Sequence, residues 1–249
     1  ALVVMSFVGT TPKRMVFGLM LTTTFLSAFM SNTATAAMMV PVAMALITLV
    51  HSTKAAGDPD AVTHERNFSL CILLALAYGA SIGGMATLIG SPPNGIYMRF
   101  MEQTYGQVVS IASWMKVGVP VTLLLFIVSF FVLTGLMFRN MGGSVPGGKE
   151  WVRNELRSMG KLSTGEKAVG LCFLIAAVLW FSGAQLRGIN IDGWQPFKYL
   201  TDAVIAMGMG IVPFLIPVDR KGTMAMDWKT ANEAISWDVL LLFGGGLSL

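Results

Sequence analysis

Charged residues are scarce in this chain of 249 residues, since Asp, Glu, Lys and Arg together make up only 12% of it. Soluble domains average about 25% charged residues, so the composition argues against a protein surrounded by water. Hydrophobic residues make up 54% of the chain, and the mean hydropathy is +0.68. Several uncharged runs exceed the roughly 20 residues that a helix needs to cross a bilayer. The composition therefore predicts an all-α polytopic membrane protein in a lipid bilayer.

The motifs of several enzyme classes are also missing. The two cysteines, Cys71 and Cys172, lie in apolar runs outside any CxxC pattern, which argues against a disulfide or a metal site. The chain has no HExxH zinc motif and no GxxxxGK[ST] phosphate loop. Residues 79–83 match GxSxG in letters, but that motif requires a strand-to-helix elbow and a His partner. We therefore predict neither an enzyme nor, from a net charge of only +4, a nucleic-acid partner.

Apolar runs alternate with polar loops along the chain. A short interfacial or cytoplasmic helix end is predicted over residues 1–14, and a further span begins within 237–249. Between them the predicted order is an uncharged run at 15–50, a loop at 51–67, a broken helix at 68–104, a span at 117–138, a loop with a short amphipathic helix at 139–167, spans at 168–186 and 200–218, and a loop at 219–236. The abrupt apolar ends of the sequence favour a fragment of a longer protein.

The distribution of Lys and Arg predicts the orientation in the membrane. Roughly three quarters of the 17 Lys and Arg residues lie in the segments 11–14, 51–67, 139–167 and 219–236. Cytoplasmic loops carry the excess of positive charge, so these loops are predicted to share the cytoplasmic side of the cell membrane. This parity requires the 15–50 run to enter and leave on one side.

Polar residues stand at the centre of the first uncharged run, where SNT occupies 31–33. The run at 15–50 is too long for one span at 1.5 Å per residue. Each half is a little short for a full crossing, which favours a re-entrant hairpin over two spans. Non-helical backbone at such a tip is tolerated only beside protein or a water-filled cavity.

The sequence GSPPN at 90–94 interrupts a second apolar run. Its two prolines lack N–H donors, and Gly90 permits unusual backbone dihedrals. The carbonyls before the prolines are expected to lose their helical partners and become free to coordinate a cation. The helix that restarts after them directs its positive N-terminus at the same place, which favours an anion. Broken helices of this kind indicate a transporter binding site.

The polar residues at the two breaks suit a monovalent cation. Ser27 and Ser31 are one helical turn apart and share a face. Neutral hydroxyl, amide and carbonyl oxygens fit Na⁺, and the same groups with exposed N–H donors can hold a carboxylate. By contrast, the threonines at 22–24 and Thr87 are interpreted as packing residues between helices.

Two segments carry a resemblance to a known family. PKRMVFGLMLTTTFLSAFMSNTATAAMMVP and ASIGGMATLIGSPPNGI occur in the order expected for the divalent anion/sodium symporters, and the chain resembles that family. The resemblance implies one half of an inverted-repeat, elevator-type transporter that works as a homodimer. Since no second SNT is present, the resemblance places the other half of the site beyond Leu249.

The resemblance also implies the residues of the site. Na⁺ is expected to bind at Ser27, Ser31, Asn32 and Gly90. One carboxylate of a small anionic substrate (a dicarboxylate, citrate or sulfate) is expected at Ser31, Asn32, Thr33, Ser91 and Pro92.

The sequence thus predicts a secondary active transporter that couples Na⁺ influx to uptake of a succinate-like di- or tricarboxylate. A sodium-independent dicarboxylate exchanger is the alternative within transport, and uptake that survives Na⁺ replacement would favour it. An ion channel is the alternative from another class, and single-channel currents without saturation would favour it.

Overall fold

In a computed structural model of the chain, the described residues are 2–52, 60–143, 145, 147–158, 160–190, 195–219, 222–235, 237, 241 and 244–245. Within these residues the regular structure is helical, apart from one isolated bridge between Pro217 and Met224. The predicted all-α class is confirmed. The α-helices are α1 Leu2–Val8, α2 Pro12–Ser27, α3 Asn32–Ser52, α4 Ala61–Gly83, α5 Pro92–Tyr105, α6 Ile111–Phe131, α7 Gly148–Ser158, α8 Thr164–Arg187, α9 Asp202–Ile211 and α10 Trp228–Ala234.

Four helical segments are long and apolar enough to cross a membrane: Asn32–Ser52, Ala61–Gly83, Ile111–Met137 and Thr164–Gly183. The third combines α6 with a π-helical turn at Val132–Met137. The apolar helix at Asp202–Phe214, in the predicted 200–218 span, is shorter than these. It ends in a 3₁₀ turn that contains Pro213, a residue that cannot donate a backbone hydrogen bond. The predicted start of a span at 237–249 lies outside the described residues except for 237, 241 and 244–245.

The chain forms two compact units. The first contains residues 1–108 and 114–160, and the second contains residues 109–113 and 161–249. Both helix breaks, at 28–31 and 84–91, lie in the first unit.

Helix α4 is the centre of the first unit, because both α2 and α3 pack against it. Gly79 and Gly83, one turn apart on α4, allow the backbone of α2 to approach closely. A methyl group on Gly83 would lie 2.2 Å from the backbone oxygen of Thr24. Small residues at such spacing are typical of tightly packed membrane helices, so the GxSxG letters form a packing surface. Buried side chains around it include Met15, Leu19, Leu46, Phe68 and Ile72.

In the second unit, polar contacts join the end of α8 to the start of α9. The Arg187 guanidinium donates to the carbonyl of Leu200 at 2.8 Å and lies 3.7 Å from Oδ1 of Asp202. The indole N–H of Trp180 donates to the backbone oxygen of Asp202 at 3.1 Å. At its other end, α8 begins with a capping box in which Ser163 and Glu166 bond each other's backbone N–H.

Candidate functional site

The first helix break separates α2 from α3 at residues 28–31. Pro12 is the first residue of α2, where its missing N–H costs nothing. The two helices are unequal, with 16 residues in α2 and 21 in α3, and they pack against each other. Ser27, the last residue of α2, is fully buried, and Asn32 is the first residue of α3.

Three oxygen atoms come together at this break. The hydroxyl of Ser27 lies 2.8 Å from Oδ1 of Asn32 and 2.6 Å from the backbone oxygen of Ala80. A serine hydroxyl has a single proton, so it donates to only one of these two acceptors at a time. The group is therefore rich in oxygen lone pairs and poor in protons, which is the arrangement that a hard cation prefers.

The second helix break, at residues 84–91, lies against the first. A methyl group on Gly90 would lie 2.8 Å from the carbonyl oxygens of Gly84 and Ser27 and 3.0 Å from that of Ala28. A methyl group on Gly84 would lie 2.3 Å from Oδ1 of Asn32. A side chain on Gly90 would meet the backbone of the first break, and one on Gly84 would meet the Asn32 amide, so the two non-helical segments are in direct contact.

Four helix ends thus adjoin within the first unit. Helices α2 and α4 end there, at Ser27 and Gly83, while α3 and α5 begin there, at Asn32 and Pro92. A helix carries about half a negative charge at its C-terminus and half a positive charge at its N-terminus. The two C-termini therefore favour a cation, and the two N-termini favour an anion. Among the described residues of α2, α3 and the 84–91 segment, the charged side chains are those of Lys13 and Arg14, which lie at the far end of α2. The electrostatic fields of both signs at the breaks therefore come from the helix ends.

The sequence predicted that the carbonyls before the prolines are free to coordinate a cation. That prediction is wrong for several of them, because side chains donate hydrogen bonds to these carbonyls. Asn94 Nδ2 donates to the carbonyls of Gly84 and Thr87, both at 2.8 Å. The indole of Trp114 donates to Met85 O at 3.0 Å, and the Thr122 hydroxyl donates to Ile82 O at 3.3 Å. The reason is that buried backbone acceptors rarely stay unpaired when a donor can reach them.

The sequence reasoning missed these donors, which pack against the candidate site. Trp114, Gly118 and Thr122 recur at i, i+4 and i+8 on α6, which is a signal for one helix face. A methyl group on Gly118 would lie 2.7 Å from Met85 O, so this face packs directly on the second break. Asn94 is the last residue of the GSPPN sequence, in which the prolines and Gly90 carried the prediction.

The remaining predicted site residues differ in their surroundings. Ser31 precedes α3, and its hydroxyl accepts from the backbone N–H of Ala34 at 3.3 Å, as an N-cap does. Ser91 stands at the N-cap position of α5 in extended conformation, and Pro92 is the first residue of that helix. Thr33 is exposed. Among the described residues, no hydrogen bond joins Thr33, Ser91 or Pro92 to the pair formed by Ser27 and Asn32.

The whole chain matches one protein family. Residues 1–249 match the sodium:sulfate symporter transmembrane region. The chain belongs to the sodium:sulfate symporter family. This result confirms the resemblance found in the two quoted segments, and the four apolar helices agree with an integral membrane member of that family.

Two staphylococcal proteins are similar to this chain over its whole length. The sodium-dependent dicarboxylate transporter SdcS of Staphylococcus saprophyticus is 34% identical over 253 residues, which cover 100% of this chain and 47% of that protein. SdcS of Staphylococcus aureus strain NCTC 8325 is also 34% identical, over 251 residues with the same coverage. The chain therefore spans about half the length of the curated relatives it matches.

Proposed function

We propose that this chain forms half of the transport site of a symporter that couples Na⁺ influx to uptake of a dicarboxylate. The observation that carries the proposal is the partly buried oxygen group of Ser27, Asn32 and Ala80, near the C-terminal ends of α2 and α4. The names of the relatives, which are sodium-dependent dicarboxylate transporters, support the choice of ion and substrate.

The proposed Na⁺ site uses Ser27, Ser31, Asn32 and the carbonyl of Gly90. Ser27 and Asn32 already place two oxygens within 2.8 Å of each other. Gly90 contributes through its backbone, and among the described residues no hydrogen bond reaches its carbonyl oxygen. The Ser31 hydroxyl accepts one N–H bond and keeps a second lone pair for a cation. Coordination by unwound backbone and helix C-termini is the usual arrangement for Na⁺ in transporters built from broken helices.

The proposed anion site uses Ser31, Asn32, Thr33, Ser91 and Pro92 at the starts of α3 and α5. The N–H groups at the start of α3 can bind a carboxylate without a buried arginine, whereas Pro92 has no N–H and α5 contributes the positive end of its dipole. Asn32 belongs to both sites because its amide has an acceptor oxygen and a donor nitrogen. One residue that contacts both ligands would make the binding of each depend on the other, which is the requirement for symport.

We also propose an arrangement in the cell membrane. The 15–50 segment is re-entrant, and the loops 51–67, 139–167 and 219–236 are cytoplasmic. The transporter is a homodimer in which the first unit moves as an elevator-type transport domain. The presence of both helix breaks within that one compact unit supports this role, since a moving domain must carry its site with it.

Uptake of radiolabelled succinate by the full-length protein in proteoliposomes tests the proposal. An inward Na⁺ gradient should drive accumulation, and replacement of Na⁺ by choline should abolish it. Ser27→Ala should lose most of the uptake, whereas Thr48→Ala should retain it, because the Thr48 hydroxyl bonds only its own helix at Met44 O. Equal uptake without Na⁺ that requires internal dicarboxylate would replace symport with exchange. Unitary currents without saturation would replace it with a channel.

A further inference from the structure

Thr87 connects the two helix breaks through its hydroxyl group. The residue is 1% exposed, and its Oγ1 donates a hydrogen bond to the carbonyl of Ala28 in the first break. The same oxygen accepts from the backbone N–H of Gly90 at 3.2 Å. One hydroxyl therefore holds the end of α2 and the segment before α5 together.

The other threonines near the site bond differently. The hydroxyls of Thr22 and Thr23 donate to Gly18 O and Leu19 O, both at 2.8 Å and both within α2. Such bonds to the preceding turn are local and fix nothing outside the helix. Ala28, in contrast, lies 59 positions from Thr87 in the sequence. The interpretation of Thr87 as a packing residue is therefore incomplete, because its hydroxyl links segments that are distant in sequence.

Asn94 completes the connection from the other side. It is 8% exposed, and its Nδ2 uses both protons, one on Gly84 O and one on Thr87 O. These bonds hold the 84–87 segment onto the first turn of α5. Gly84 in turn contacts the side-chain amide of Asn32. By holding Gly84, Asn94 therefore limits where the Asn32 amide can lie.

We infer that Thr87 and Asn94 are positioning residues that set the spacing between the two breaks, and with it the affinity and size selectivity of the Na⁺ site. This inference rests on the proposed function. Neither residue is assigned to the ion or the substrate. Affinity and selectivity for a small cation depend on the number and spacing of its oxygen ligands. A change at Thr87 therefore reaches the ion only through Ala28 and Gly90.

The test compares Thr87→Val with Thr87→Ser in the full-length protein. Valine keeps the shape and loses both hydrogen bonds, whereas serine keeps the hydroxyl. Thr87→Val should raise the Na⁺ concentration for half-maximal uptake about tenfold, the factor for one net hydrogen bond, because only the part of the loss that differs between the Na⁺-bound and Na⁺-free protein changes the affinity. It should also lower the ratio of the Li⁺ concentration to the Na⁺ concentration for half-maximal uptake. The maximal uptake rate at saturating Na⁺ should change less than twofold. Thr87→Ser should restore wild-type values.

The matched control is Thr23→Val, which makes the same chemical change at a fully buried threonine whose bond is local. It should leave the Na⁺ titration unchanged. A second readout, the rise in melting temperature of purified protein with added Na⁺, reports binding without transport. That rise should need about tenfold more Na⁺ in Thr87→Val.

Asn94→Ala provides an independent variant with the same expected direction. Thr87→Val and Asn94→Ala together should raise the half-maximal Na⁺ concentration by less than the product of the single effects, because both act on one network. Wild-type Na⁺ titrations in both single variants, or equal shifts in Thr87→Val and Thr23→Val, would overturn the inference. Absence of Na⁺ dependence in the unmodified protein would instead overturn the proposed function.

Discussion

Gly84 lies against the side-chain amide of Asn32, so that a methyl group on Gly84 would come within 2.3 Å of Oδ1 and 3.1 Å of Nδ2. The contact joins the residue after α4 to the first residue of α3. Asn32 is proposed to bind both Na⁺ and the substrate anion. The absence of a side chain on Gly84 therefore determines where the Asn32 amide can lie.

Gly84→Ala should weaken both Na⁺ and substrate binding. Gly84 has ordinary right-handed helical dihedrals, so alanine adds no backbone strain and acts only through the displaced amide. We expect the half-saturating concentrations of both ligands in the uptake assay to rise about tenfold, as for one lost hydrogen bond. Gly95→Ala is the control, since nothing lies within 4 Å of the added methyl group. Equal effects of the two substitutions would contradict the contact.

Asn32→Ala should raise the apparent constants for Na⁺ and substrate together, because a single amide is proposed to serve both. Titration of each ligand at several fixed concentrations of the other measures this directly. Asn67→Ala is the control, since that amide is exposed and donates to Asn140 O away from the site. Unchanged constants for both ligands would remove Asn32 from the site.

Gly90→Val should impair Na⁺ binding more than folding. The first added carbon would lie 2.8 Å from two carbonyl oxygens, so the loop must move and carry the Gly90 carbonyl with it. We expect purified protein to be recovered with its Na⁺-dependent rise in melting temperature lost. Gly95→Val on α5 is the comparison. Wild-type Na⁺ affinity in Gly90→Val would contradict the role of the second break.

Gly83→Ala should act on stability, in contrast to the variants above. Its methyl group would lie 2.2 Å from the backbone oxygen of Thr24 and 2.8 Å from its carbonyl carbon, and backbone atoms cannot move aside as a side chain can. Overpacking of this kind costs about 1–3 kcal/mol or more. The melting temperature of purified protein measures the loss, with Gly135→Ala as the control in open space. An unchanged melting temperature would contradict the close packing of α2 against α4 at Gly83.

Asp227 should make helix α10 sensitive to acid. Hydrogen bonds from the backbone N–H and then the hydroxyl of Thr230 hold the pKa of Asp227 below its ordinary value. A lowered pKa means that the stabilisation is complete above the unfolded value, about 3.9, and is lost as the pH falls through the folded value. Amide exchange in α10, corrected for intrinsic rates, should accelerate in that range. Asp227→Asn, which caps without titrating, should show no such step.

Much of the helical architecture could be predicted from the sequence, because residue types such as proline act on their own backbone. Pro92 begins α5 because proline suits the first turn of a helix and cannot extend an earlier one. The apolar runs within α3, α4, α6 and α8 are long enough to span a membrane by length and composition. The apolar helix at Asp202–Phe214 is shorter than the predicted span at 200–218. An apolar stretch of sequence predicts a helix but does not determine the residue at which the helix ends.

The site was less accessible to sequence reasoning. Ser27 and Asn32 were identifiable because they are polar residues in an uncharged run, five positions apart. Trp114 and Thr122 were not, because on a helix an indole or hydroxyl looks the same whether it faces lipid or a carbonyl. Their partners, Met85 and Ile82, are 29 and 40 positions away.

The sequence by itself determined that this protein is helical and belongs in a membrane, since hydropathy and scarcity of charge are properties of composition. It also marked where the helices break, because proline and glycine act on their own backbone. Only the tertiary structure decided which oxygens meet and which are already satisfied. Thr23 and Thr87 are the same residue type, yet one bonds its own helix and the other joins two breaks. That difference arises from the packing of α2 against α4, which brings together backbone groups that are far apart in the chain.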